Sequence, residues 1–150
     1  MGVGMTNASN AERLRQWLFG CEAIDAGKRF GVDYLGDEPV EYALITVPSS
    51  LRWEENILGE RKLKSEQEQS FIFASKEYYG ADADQNLQNL AFYQDVMNWI
   101  VARNAEQDFP AWEGGTVTGV TPTLTGAPIV YGAGAAKYQI QIKVSYRTDS

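Results

Sequence analysis

Histidine is absent from the 150 residues, and cysteine occurs once, at Cys21. Without histidine there is no Ser/His/Asp or Cys/His catalysis and no histidine-based zinc site. A single cysteine allows neither an internal disulfide nor a thiolate cluster. No apolar run approaches the ~20 residues of a membrane span. The N-terminus lacks the basic segment and apolar core of a secretory signal, so synthesis in a cytoplasm is the expectation. Basic residues are also in deficit, with 13 lysines and arginines against 20 acids and a net charge of −7. That balance argues against a generic nucleic-acid binder, which presents a basic face, and it has the wrong sign for anionic membranes. These absences point away from an enzyme and from any cofactor or metal.

The rest of the composition, 44% hydrophobic and 22% charged, is ordinary for a globular chain. Its length suits one domain over 1–150, burying about two-thirds of the unfolded-chain surface, with residues 1–8 flexible. The stretch from Asp82 to Asn104 contains neither proline nor glycine. Asp82 can cap its first turn, with Gln85 in the reciprocal position. Wound as a helix, it gathers Leu87, Leu90, Phe92, Tyr93, Val96, Met97, Trp99, Ile100 and Val101 into a sector of roughly 240°, against ~100° for a surface helix. Such a helix needs cover on more than one side.

Two covers can be read along the chain. Ser9 with Glu12 forms a capping box for a short helix, whose Leu14, Trp17, Leu18 and Cys21 share one face. Cys21 is therefore expected to be a buried, structural thiol. Strands follow. A short extended piece is expected at Val32–Leu35, then Glu41–Val47, closed by Pro48. The charged excursion Ser49–Lys64 turns at Gly59 as an extended hairpin. Glu66–Tyr79 is apolar on both faces around Phe71–Ala74, as in a central strand. Pro110 stops the long helix, Gly114-Gly115 makes a bend, and Thr116–Leu124, Ile129–Tyr131 and Tyr138–Arg147 follow. The last alternates Tyr138, Ile140, Ile142, Val144 and Tyr146 with polar residues, the period of a half-buried strand. The expected fold is α+β, an antiparallel sheet of about four or more strands packed against one long helix and a short N-terminal helix. Sheet and short helix together would bury the whole apolar sector within one subunit.

Candidate chemistry is sparse. Asp82, Asp84 and Asn86 lack the glycine and distant glutamate of a calcium loop and are explained by helix capping. The pairs Asp37-Glu38 and Glu54-Glu55 point apart in a strand or turn, which suits solvated charge and not shared acid–base work. YGAGAAK, with Gly132 and Gly134, leads into a strand and reads as a hairpin, since a phosphate loop opens a helix. There remain two tryptophans in polar surroundings, Trp53 in the charged excursion and Trp112 beside the two glycines. Each either folds back to plug its own core or anchors a protein interface, where tryptophan is enriched. The interface candidates are Arg52, Trp53, Ile57, Leu58, Arg61, Trp112 and Tyr131.

The order of elements, with EYALITVP, FIFASKEYY, QNLQNLAFYQDVMNWI and YQIQIKVSYR, resembles the tail-terminator or tail-completion (neck) proteins of tailed bacteriophages and prophages, often labelled minor capsid proteins. The resemblance covers roughly residues 9–148, and its best carriers are FYQDVMNWI and the final strand. It implies a structural virion protein at the tail–head junction, made in the bacterial host cytoplasm. Such a subunit assembles, typically as a hexameric ring, on the head-proximal end of the tail tube. The ring ends tube polymerisation and offers a docking surface to head-completion proteins. Implied partners are further copies of itself, the tail tube protein, the neck proteins and the sheath. DNA would pass through the ring without being gripped. A head-completion adaptor is the nearest alternative. A small-molecule-binding or hydrolytic α+β domain, with its pocket between sheet and helix, is the alternative from another class. A host-directed inhibitory protein that binds one partner is a third.

Overall fold

The computed structural model describes residues 6–24, 27–28, 30–33, 41–48, 50–78, 83–124, 129–131 and 134–149. The fold is α+β. Two helices, α1 (Thr6–Leu18) and α2 (Ala83–Ala105), accompany eight strands: β1 (Phe30–Val32), β2 (Glu41–Thr46), β3 (Trp53–Glu55), β4 (Arg61–Leu63), β5 (Glu66–Tyr78), β6 (Gly115–Leu124), β7 (Ile129–Tyr131) and β8 (Ala135–Thr148). Six strands form one sheet in the order β1-β2-β5-β8-β6, with β7 also paired to β8, and β3 and β4 form a separate two-stranded sheet. All pairings are antiparallel except β1 with β2, which is parallel.

The 13-residue β5 is the spine of the sheet, bonded to β8 along its whole length and to β2 over its second half. Its odd positions from Gln67 to Glu77 are all buried. In register with them, Tyr138, Ile140, Ile142 and Val144 of β8 are buried too. These two strands make the floor on which α2 packs, through Tyr93, Val96 and Ile100. Helix α1 adds Leu14 and Leu18 to the same core, and its Trp17 ring lies 4.7 Å from that of Trp99 on α2. Cys21 is buried, and burial pushes its thiol above the ordinary range, so it is the inert structural residue expected.

Several expectations change at the level of the helices. Ser9 does not cap α1, which starts at Thr6. No glycine or proline interrupts the run from Thr6 to Phe19, so the helix extends one turn further back, through residues expected to be flexible. Asp82 lies outside the described residues. Nor does Pro110 end α2. The helix closes five residues earlier in a Schellman motif, with Gln107 N–H bonding to Asn104 O at 3.0 Å and Asp108 N–H to Arg103 O at 2.9 Å. Gln107 takes the left-handed conformation, φ 56°, where glycine is usual.

The sector of α2 is not wholly covered either. Leu87, Leu90 and Val101 are exposed, on one outer line with Gln94 and Asn98. The packed side of α2 runs through Tyr93, Val96, Trp99 and Ile100, which meet the sheet and α1, and the outer line has no cover within the described residues.

Three amide side chains fasten distant stretches of the chain in one manner. Each brackets a single backbone residue, accepting from its N–H and donating to its C=O, as a strand neighbour would. Asn10 holds Glu113, at 2.7 and 3.3 Å. Asn104 holds Val120, accepting its N–H at 2.8 Å and donating to its carbonyl. Gln67 holds Arg52, at 2.9 Å both ways.

Candidate protein–protein interface

The segment Ser49–Lys64, expected as an extended hairpin, forms one over its described residues, 50–64. β3 and β4 pair Trp53 with Leu63, Glu54 with Lys62 and Glu55 with Arg61. Two of the three cross-strand pairs join opposite charges, which favours this register. The turn is a three-residue loop with a left-handed glycine in its last position. Asn56 N–H bonds to Glu60 O at 3.0 Å, Gly59 N–H bonds to Asn56 O at 3.0 Å, and Gly59 has φ 81°. The Asn56 carboxamide oxygen caps the loop, accepting from the N–H groups of Leu58 (2.9 Å) and Glu60 (3.0 Å).

Every residue from Ser50 to Lys62 is exposed. Trp53 is 46% exposed, Leu58 77% and Ile57 102%. The hairpin is thus an arm that leaves the domain with an aliphatic tip. Two-stranded ribbons are marginal by themselves in water, and this one is stiffened at its base. Beyond the Arg52 bracket, Gln67 Nε2 also donates to Lys64 O at 2.9 Å, and Lys64 N–H bonds to Arg52 O at 3.0 Å. Gln67 itself is fully buried. Glu68, next along β5, faces both Arg52 (3.9 Å) and Lys143 (3.8 Å).

Of the sequence-derived candidates, Arg52, Trp53, Ile57, Leu58 and Arg61 come together on this arm. Trp112 does not belong with them. It is 7% exposed, with its ring 6.1 Å from Phe71 and 5.9 Å from Tyr146. The adjoining glycines let the chain fold it inward. Gly114 takes φ 83°, and a Cβ at Gly115 would sit 2.5 Å from Arg147 O. Tyr131 ends β7 and pairs with Ala135 across the hairpin that the glycines of YGAGAAK suggested; its side chain lies outside the described residues. Gln67 was missed as a site residue. Its signal was parity, because it falls on the same side of β5 as Phe71 and Phe73.

Two clefts flank α1. One, of about 600 Å³, lies between the end of α1 and α2, lined by Cys21, Glu22, Asp95, Trp99 and Arg103 among others. The other, of about 370 Å³, lies between α1 and the chain after α2, where Trp17, Phe109, Pro110 and Ala111 meet Gln16 and Arg13. Trp17 Nε1 donates to Asp108 O at 3.1 Å, which sets the wall of this second cleft. Among the described residues no group of three or more potential metal ligands gathers, and no helix is long and apolar enough to cross a membrane.

No family model matches the sequence, and no curated protein matches it. A solved structure whose description states no activity is similar over 96% of this chain and 93% of its own, at 13% identity and a TM-score of 0.45. A likeness of that size carries no functional argument.

Proposed function

We propose that the chain is a structural virion protein of the tail–head junction. It caps the head-proximal end of a phage tail tube as a hexameric ring.

 The ring ends tube growth and presents a docking surface to the head-completion proteins. The reading rests on the resemblance of the element order set out above, and the single observation that supports it is the arm. A domain that holds Trp53, Ile57 and Leu58 in water on a clamped hairpin exposes apolar surface with no use inside its own core, and such surface marks contact sites. A closed ring needs two different patches per subunit, and the arm supplies one of them. Light scattering with negative-stain imaging, on the purified protein alone and with tail tubes, tests the reading. Rings, free or seated at one tube end, are the expected result. A protein that stays monomeric in both settings and leaves tube length unchanged would overturn it.

A further inference from the structure

We infer that the arm tip of one copy docks in the Trp17–Phe109–Pro110 cleft of the next copy. This inference rests on the self-assembly proposed above and names its contact. The tip, Ile57 and Leu58, is aliphatic, convex and almost wholly in water. It therefore does not reach the cleft of its own subunit. The cleft is concave, with an aromatic and proline floor and a polar rim at Gln16 and Arg13, the anatomy of an anchor pocket. Its volume of about 370 Å³ is at the small end of ligand pockets, roughly 300–1,000 Å³, which suits a pair of side chains. It is also built in advance. Trp17 is fixed on one side by its bond to Asp108 O and on the other by the Trp99 ring, so docking there orders little new structure.

Two other pairings of copies fit less well. Tip against tip would set two convex surfaces together, with no cleft to receive either. Tip against the outer line of α2 would set one convex surface on another. The arm extends roughly 17 Å from Arg52 to Ile57 at ~3.3 Å per residue, which leaves its flanks free to add contact beside the cleft. Tip and cleft are different patches, so the contact repeats head to tail, the kind of interface from which rings are built.

Sedimentation velocity of the full chain over a concentration series tests this, with Leu58→Glu at the tip, Ala111→Trp filling the cleft, and Leu90→Glu on the outer line of α2. All three positions are exposed, and thermal melts check that each variant folds. Leu58→Glu and Ala111→Trp should each weaken self-association by at least about 30-fold, the effect of losing a hot spot, while Leu90→Glu should not. An equimolar mixture of the first two retains one intact tip and one intact cleft, and should give dimers and nothing larger. If Leu58→Glu and Ala111→Trp assemble like the parent, or if Leu90→Glu alone dissolves the assembly, this contact is wrong and self-assembly stands. A parent protein monomeric at every concentration, with and without tubes, would remove the self-assembly reading and this contact with it.

Discussion

The guanidinium carbon of Arg61 lies 5.1 Å from the centre of the Trp53 ring, diagonally across the arm from it and on the face that Glu55 shares. The two strands of the arm are thus held together by a cation on an aromatic face as well as by their backbone. At a site this exposed, that contact contributes ~0.5–1 kcal/mol, and it organises Trp53 for a partner more than it stabilises the domain.

Trp53→Ala should accordingly change unfolding stability by no more than about 1 kcal/mol, a shift of roughly 2–4 °C in Tm for a domain of this size. Self-association should fall sharply at the same time. Calorimetry and light scattering on one preparation read both. A loss of ~3 kcal/mol or more would mean that Trp53 is a core residue.

Trp112 gives the opposite expectation. Its ring sits between Phe71 and Tyr146, so Trp112→Ala should cost ~3–5 kcal/mol in denaturant unfolding. Trp112→Phe should cost less, because the buried indole N–H has no hydrogen-bond partner among the described residues. Equal and small effects from the two substitutions would contradict the burial.

Gln67→Ala removes three hydrogen bonds to Arg52 and Lys64 at a cost of ~1–3 kcal/mol. The more specific readout is amide exchange. Exchange at Arg52 N–H should accelerate, while the Phe71–Ala74 stretch of β5 keeps its protection. Unchanged exchange at Arg52 would show that the arm is held by something other than the clamp.

Glu77 is buried beside Ser75, and desolvation raises its carboxyl above the ordinary carboxylate range, only partly offset by the Ser75 hydrogen bond. The folded state therefore holds this proton more tightly than the unfolded state does. Its contribution to stability is full below the ordinary glutamate range and is lost as pH rises through the raised folded value. Glu77→Gln should abolish that decline, leaving the variant more stable relative to the parent at neutral pH than at acid pH. Parallel stability–pH curves for the two proteins would rule the effect out.

The strands were the most legible part of the molecule. Alternation in Tyr138–Tyr146 and the doubly apolar Phe71–Ala74 stretch reflect a local rule, with one side of a strand facing the helices, and both strands lie where the rule puts them. The arm was legible for the same reason, since Gly59 and the opposed charges determine its turn and register. Contacts set by distant chain were not. The parallel pairing of Phe30–Val32 to β2 and the inward fold of Trp112 depend on where remote segments arrive. Leu87, Leu90 and Val101 misled because periodicity marks an apolar residue without saying whether anything covers it. Amide side chains were the systematic blind spot. Asn10, Gln67 and Asn104 look like surface polarity, yet each is a backbone fastener, and only the parity of Gln67 with Phe71 hinted at it.

The Gln67 bracket has a mechanical consequence. The residue that grips the arm belongs to β5 and not to a loop, and it lies in the first half of that strand, where β5 is bonded to β8. A pull at Leu58 is therefore carried through the clamp into the long β5–β8 ladder and is not absorbed by a hinge at the arm's root. Load on one subunit would reach its neighbours as rigid-body displacement, so a ring joined through such arms would resist opening as a hoop does.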